Sequence, residues 1–296
     1  MGSDDEASLD YRELAKALQS LTPRKQAAVL QLWPWIETKL EDGLTISART
    51  KKELRRFTRP KDPAMAEWLR SFDEDEVFYD IGANCGSLTL MAGAMHRGRI
   101  RIVAIEPSFA SFESLARNLS QNDMLEFTIP LQMALLDRTG IEPMYYASKD
   151  AGTSTHAVGE PIDFQGNEFA PVEVQMMPTY RLDDLIELLD LPLPTRVKID
   201  VDGNEPAVIE GASGALARGT VKDLAVEVVD RDQAGTTLES TRSLLAGYGY
   251  ELADAFRHSH GREPTMQPGE TADFLFRRRD SDPSADHGSA LQPADT

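Results

Sequence analysis

The sequence predicts a doubly wound α/β fold. Three observations carry that prediction. Strand-like and helix-like segments alternate from residue 73 to residue 278. Several of the strand-like runs are almost wholly apolar, as parallel strands covered on both faces must be. The first of them, VFYDI, ends in a glycine-rich turn, GANCG, that leads straight into a helical stretch.

Taken in order, residues 1–72 read as an N-terminal helical segment. Leu14, Leu18 and Leu21 recur at helical spacing, and Val29, Leu32, Trp33 and Ile36 do so again. Thr22-Pro23 has the form of a helix start. Residues 73–278 form the main domain. Its strands are expected at Val77–Ile81, Ile102–Ile105, Thr128–Leu136, Arg196–Val201, Leu224–Val229, Tyr250–Phe256 and Ala272–Phe276. Phe109, Phe112, Leu115 and Leu119 mark the buried face of one helix between them; Leu182, Leu185, Ile186 and Leu189 mark another. Residues 141–178 break the alternation. There MYYAS and VEVQMM read as a β-hairpin insertion around a Gly-rich link. Residues 279–296 form an acidic tail of Asp, Ser, Pro and Ala, a composition that cannot bury a core and predicts disorder.

Composition excludes several function classes. The net charge is −18, which argues against nucleic acid and anionic membranes, both of which are met by clustered Lys and Arg. The chain of 296 residues has one cysteine, Cys85, so neither an internal disulfide nor a cysteine metal cage is possible. No apolar run reaches the length of a membrane helix. The N-terminus, MGSDDEASLD, is too acidic for a secretory signal. A cytoplasmic location is the expectation.

The turn after the first strand asks for a ligand, because ligands of doubly wound sheets sit beyond the carboxyl ends of the strands. Gly82 permits the sharp turn and Gly86 a close approach of backbone. The following helix presents free N–H groups suited to an anion. A dinucleotide would call for G-x-G-x-x-G, whereas the pattern here is G-x-x-x-G. Glu106, at the end of the second strand, suits ribose hydroxyls in either case. Asp80 separates the two ligand classes: at the rim of the turn it would repel a pyrophosphate but could pair with an amino group. S-adenosyl-L-methionine offers a ribose, a carboxylate and an ammonium to Glu106, the helix N-terminus and Asp80 in turn.

Four segments, DIGANCGSLTL, AIEPSFASFESLARNLSQN, YRLDDL and VKIDVDGNEPAVIEGA, closely resemble the FkbM family of methyltransferases, in the family's order, from about Val77 to Glu227. The resemblance implies a Rossmann-like class I methyltransferase sheet of seven strands with the last antiparallel and inserted. It also implies S-adenosylmethionine as donor, and O-methylation of a hydroxyl on a sugar or secondary metabolite. Carried over residue by residue, Asp80, Gly82, Ala83, Asn84 and Gly86 match the donor loop. Glu106, with Pro107 and Ser108, matches the ribose-binding acid and its turn. Ala134 falls where the adenine is lined.

Methyl transfer to a hydroxyl requires placement of the acceptor and loss of its proton. Lys198, Asp200, Asp202 and Glu205 are the catalytic candidates: four ionisable side chains close together at a strand end that should otherwise be apolar. Alternation along the strand puts Lys198, Asp200 and Asp202 on one side. The family more often has Glu where Asp202 stands. Glu205, ahead of Pro206 in the first turn of a helix, is either an acceptor-orienting base or a favourable helix-start charge. His258 and His260, Glu227 and Asp230 are expected at the same edge, and His156 in the insertion near the acceptor. Cys85 reads as a small buried side chain. No metal is expected, because Lys198 competes with a cation for the acids and H-x-H lacks a third ligand. The acceptor is expected to be a small molecule or glycan. The alternatives are a nicotinamide oxidoreductase, disfavoured by the missing G-x-G, and a donor-binding protein without catalysis.

Overall fold

The computed structural model describes residues 35–40, 43–58, 63–154, 156–163, 165–229, 237–256 and 271–279, with the isolated positions 20–22 and 25. The chain begins with an antiparallel pair, β1 (Ile36–Lys39) and β2 (Thr45–Ala48), followed by helices α1 (Lys51–Thr58) and α2 (Pro63–Arg70). The first wound half runs β3 (Val77–Ile81), α3 (Ser87–His96), β4 (Arg101–Ile105), α4 (Phe109–Gln121) and β5 (Thr128–Leu131). Then come β6 (Ala134–Leu135), β7 (Gly140–Tyr146), β8 (Ala157–Val158) and β9 (Glu173–Tyr180). The second half runs α5 (Leu182–Leu189), β10 (Arg196–Ile199), α6 (Glu205–Gly211), α7 (Ser213–Ala217), β11 (Asp223–Val229), α8 (Leu238–Ala246), β12 (Tyr250–Ala255) and β13 (Thr271–Arg278).

Seven strands form the central sheet in the order β12-β13-β11-β10-β3-β4-β5. The pairs from β11 through β5 are parallel; β13 runs antiparallel to both β11 and β12 and is wedged between them. This is the class I methyltransferase sheet that the motifs imply. The order reverses at β3, so the ends of β3 and β10 meet at the switch point where such sheets hold ligands.

Strand alternation divides the core. Val77, Tyr79 and Ile81 pack with Leu182, Leu185, Val208, Ile209, Leu216 and Leu245, so α5 to α8 cover one face. Phe78 points the other way, into Met65, Trp68, Leu69 and Ala92 of α2 and α3. Asp80 shares the parity of Phe78 and so lies on the α3 face. At the opposite edge of the sheet, Arg196 pairs with Glu76 at 2.7 Å and with Asp223, whose Oδ1 also accepts from Trp68 Nε1 at 2.9 Å. These ions tie the amino ends of the strands together, away from the ligand edge.

Three expectations change. The helical reading of residues 10–42 lies mostly outside the described residues, but its end is a strand: Ile36–Lys39 pairs with Thr45–Ala48. The reason is tertiary. The Thr45 and Ser47 amides donate to Asn122 Oδ1 and Asn118 Oδ1, so α4 completes the free edge of β2. The single strand expected at Thr128–Leu136 is two. β5 ends at Leu131, and β6 joins a separate sheet through Ala134↔Thr179 and Leu135↔Tyr180. Pro130, which lacks an N–H, is tolerated because β5 is an edge strand. The hairpin insertion is in turn a four-stranded sheet, β6-β9-β7-β8, that starts before residue 141. The tail from residue 280 lies outside the described residues.

Candidate active site

The turn after β3 is built by two left-handed glycines. Gly82 has φ +81°, and a Cβ there would stand 1.8 Å from the Asp200 carbonyl oxygen. Only a glycine lets the ends of β3 and β10 touch. The Gly82 and Ala83 amides both donate to the Ile105 carbonyl at 2.9 Å, which joins the turn to β4. Gly86 has φ +87° and faces Leu115, where a Cβ would come within 2.5 Å of Cδ1; its place is to seat α3 against α4. Asn84, at φ +51°, reaches the insertion by donating from Nδ2 to the Thr153 carbonyl at 3.3 Å.

Glu106 is buried at the end of β4 and spans this turn. Its Oε2 accepts from the Asn84 amide at 2.9 Å and its Oε1 from the Ser108 amide at 2.8 Å. Burial pushes its carboxyl up to about 7, against the lowering pull of those two hydrogen bonds. Ser108 serves the site through its backbone; its buried Oγ has no partner among the described residues and does not line the cleft.

Beyond the strand ends lies a cleft of two lobes. The narrower, about 280 Å³, is lined by Glu106, Pro107 and the apolar side chains of Met133, Ala134, Leu136 and Met144. The wider, about 700 Å³, is lined by Asp80, Ala83, Lys198 and Asp273, with Lys52 and Arg55 of α1 opposite. Gly82, Asn84, Arg56, Asp200 and Glu227 line both.

The charged wall of the wider lobe follows from strand register. Lys198 pairs in register with Asp80, and Glu227 with Asp273, so all four share one face, joined by Asp200 two residues beyond Lys198. Lys198 is buried, with its Nζ 3.4 Å from Asp200 Oδ2 and 2.9 Å from Asp273 Oδ1. Burial disfavours its ammonium, but Asp200 and Asp273 more than offset that and hold it charged. Burial also works against the Asp200 carboxylate. Lys198 and a hydrogen bond with Glu227 outweigh it and hold that carboxyl below its usual range. Asp200 is 38% exposed along its side chain, open to the cleft. Glu227 goes the other way: burial first, then the Asp200 charge, push it up to about 10. At neutral pH Glu227 therefore holds a proton and Asp200 a charge, the arrangement expected when neighbouring acids are driven apart.

Asp202 stands at φ +57° in the turn after β10, where alternation ends; its carboxylate nonetheless returns to the cleft. Oxygens of Asp200, Asp202 and Glu227 lie within 4.8 Å of one another. Asp80 lines the wider lobe and accepts from Thr89 Oγ1 of α3.

Glu205 does not stand where an acceptor-orienting base must. It is buried and lines neither lobe. Its Oε1 accepts from the Val201 and Gly203 amides, both at 3.1 Å, so the carboxylate fastens the turn that carries Asp202. The left-handed Asp202 and Gly203 fold the chain back over it.

His156 lines the narrower lobe rather than the wider one. Both its ring nitrogens are buried without a hydrogen-bond partner among the described residues, and its ring lies 5.0 Å from that of Tyr146. Burial, then the charge of Lys52, push it down to about 4, so it is neutral. Cys85 is buried, and burial pushes its thiol well above the ordinary range, as an inert side chain requires. His258, His260 and Asp230 lie outside the described residues.

Sequence reasoning did not anticipate Asp273 or the cations of α1. Asp273 enters from the inserted antiparallel strand, and no local pattern marks it. The α1 cations carry a signal, because Thr50-Lys51-Lys52-Glu53 is a capping box. The Glu53 amide donates to Thr50 Oγ1 at 3.0 Å, and the Thr50 amide to Glu53 Oε2 at 3.2 Å.

A family model for the methyltransferase FkbM domain matches residues 80–252. The hexuronic acid methyltransferase AglP of Haloferax volcanii is 29% identical over 149 residues, which span 50% of this chain and 54% of that protein. The crystal structure of a methyltransferase FkbM from Methylobacillus flagellatus is similar with a TM-score of 0.46 and 18% identity, over 70% of this chain and 44% of that one. TYW2 of M. jannaschii, solved with AdoMet, is similar with a TM-score of 0.42 and 14% identity, over 83% and 87% of the two chains. No helix among the described residues is long and apolar enough to cross a membrane.

Proposed function

The chain belongs to the FkbM methyltransferase family, with S-adenosylmethionine as cofactor, and we propose that it O-methylates a hydroxyl on a sugar or secondary metabolite. One observation carries this reading. The acid that suits ribose hydroxyls, Glu106, and an ionised acid open to solvent, Asp200, line one continuous cleft across a turn that only glycine can make. The sugar class is supported by similarity to the hexuronic acid methyltransferase over about half of each chain.

When bound, S-adenosylmethionine supplies an activated methyl group. The residues of the chain do the rest. Glu106 accepts from ribose hydroxyls with the lone pairs its backbone donors leave free. Pro107, Met133, Ala134 and Met144 provide apolar walls for a flat base. The first amides of α3, beside the Gly82–Ala83 turn, face an anion, while Asp80 faces an ammonium. Asp200 accepts a hydrogen bond from the acceptor hydroxyl and takes its proton as the methyl is transferred. Lys198 acts through Asp200 as a positioning residue. Asp202 lines the narrower lobe beside Asp200.

Two outcomes are expected beyond product formation. Glu205→Ala strands the Val201 and Gly203 amides and should cost about 1–3 kcal/mol of stability; turnover of the folded variant should stay within about tenfold, since Glu205 meets no ligand. A larger loss in kcat would return Glu205 to the chemistry. Turnover should also survive EDTA, because Lys198 and the proton on Glu227 already balance the acids. Loss of activity restored by Mg²⁺ or Mn²⁺ would reverse that.

The function itself is tested by incubating the protein with isotopically labelled donor and a panel of sugars and cell extract. Mass spectrometry should find label in a methyl ether. Donor binding with no labelled product would leave a non-catalytic donor-binding protein.

A further inference from the structure

In a chain with 49 acidic and 31 basic residues, α1 carries KKELRRF, and its Lys52, Arg55 and Arg56 line the cleft. The helix is fixed there from three directions. The capping box of Thr50 and Glu53 sets its start, and Leu54 is buried beneath it. Arg56 Nε and Thr50 Oγ1 donate to the Gly152 and Ala151 carbonyls of the insertion, both at 3.2 Å. Gly152 lies so close that a Cβ there would stand 2.8 Å from the Glu53 backbone. The cations therefore have a defined place rather than a chance one.

Lys52 and Arg55 line the wider lobe alone, whereas Arg56 lines both. Both are exposed at the rim, and neither is paired with a carboxylate among the described residues. The wall across the lobe holds Asp80, Asp200, Glu227 and Asp273 around Lys198. A ligand in the wider lobe thus meets acidic side chains on one side and, on the other, cations with no carboxylate partner among the described residues. The donor's single carboxylate has the α3 amides and Arg56 available. The outer pair remains for whatever enters after the donor.

We propose that Lys52 and Arg55 recognise an anionic group, carboxylate or phosphate, on a sugar acceptor, and so present a neighbouring hydroxyl to Asp200. This rests on the reading of the cleft as a methyltransferase site. The influence of Lys52 reaches as far as His156, which it helps to keep neutral, and Arg56 helps to keep Asp200 ionised, so the charge of α1 is felt inside the cleft. Such recognition also weakens with salt, because the pair is at the surface.

The test measures binding to protein saturated with S-adenosylhomocysteine, by calorimetry. The probes are p-nitrophenyl β-D-glucuronide, glucose 6-phosphate and the uncharged p-nitrophenyl β-D-glucoside. At least one anionic probe should bind tenfold or more tighter than the glucoside, and the stronger of the two identifies the source of the charge. Lys52→Ala/Arg55→Ala should erase that preference while S-adenosylmethionine affinity changes less than about threefold. Lys52 and Arg55 are exposed, so the double variant should fold; Arg55→Glu gives an independent check by reversing the preference. Equal binding, no binding of either anion, or a preference that survives the substitutions would overturn the proposal. So would a parallel loss of donor affinity, which would assign the pair to the donor carboxylate. Failure of the methyltransferase reading shows separately, as absence of label transfer to any acceptor with donor binding intact.

Discussion

Replacing Asp200 by asparagine is expected to lower turnover by about 10²–10⁴-fold, the usual contribution of a general base, and to leave donor affinity within about threefold. The substitution keeps the size of the side chain and its place above Lys198 but removes the charge. In the unmodified protein that charge is maintained against burial by Lys198 and by the proton on Glu227. Of the nearby carboxyls, Asp202 and Glu227 lie closest to its place in the cleft. Glu227 holds its proton partly because of the Asp200 charge, whereas Asp273 is turned to Lys198 and Glu205 is committed to the turn amides. A stopped-time assay with labelled donor, run with saturating donor and acceptor, isolates kcat; donor titration of the same variant isolates binding. Asp202 lines the narrower lobe with Asp200, so Asp202→Asn is the needed comparison. Turnover of Asp200→Asn within tenfold of the original would remove Asp200 from the proton-transfer step. A larger loss in Asp202→Asn would move that role to Asp202.

The sheet was legible in the sequence wherever the strands are buried on both faces. VFYDI and RIVAI show themselves as largely apolar runs, as strands covered on both faces do, and RVKI, whose Arg196 and Lys198 are buried charges, joins them in the seven-stranded sheet. Alternation was enough to put Lys198 and Asp200 on one side. It failed at Asp202, where a positive φ suspends the two-residue period and tertiary packing alone returns the carboxylate to the cleft. The same turn misleads about Glu205. Its place before Pro206 fits a helix start and a base equally, and only the two amides that close on its Oε1 decide. The strand read through Thr128–Leu136 fails for another reason. An apolar run records burial, and Ala134, Leu135 and Leu136 are buried, but in a second sheet and a cleft wall rather than in the first sheet. The N-terminal pair β1 and β2 was hidden because its partners are asparagines on α4, some seventy residues away. Long-range hydrogen bonds leave no period to read.

Donor affinity is expected to fall as the pH drops below about 7. Glu106 is the cause. Burial holds its carboxyl up to about 7 in the free protein, even though the Asn84 and Ser108 amides favour the charged form. Ribose hydroxyls donate best to an ionised carboxylate, so binding the donor favours loss of that proton. Below pH 7 the proton must leave before or during binding, and affinity should weaken toward tenfold per pH unit, with proton release measurable in buffers of different ionisation enthalpy. Well above pH 7 the carboxylate is already ionised and Glu106 exchanges no proton. Asp200, held below its usual range, does not titrate in this window and cannot produce the same limb. Glu106→Gln removes the ionisation, so its donor affinity should be independent of pH from about 5.5 to 7, below the range where the donor's own ammonium titrates. At pH 8 it should be weaker than that of the unmodified protein by about 1.5–3 kcal/mol, the range for hydrogen bonds to a charged group. The glutamine keeps one acceptor oxygen for the loop, so a folded variant is expected and circular dichroism checks it. Calorimetric titration of both proteins across the window decides. An unmodified protein whose affinity is flat through pH 7, or a glutamine variant that keeps both the affinity and the acid limb, would take the ribose contact away from Glu106.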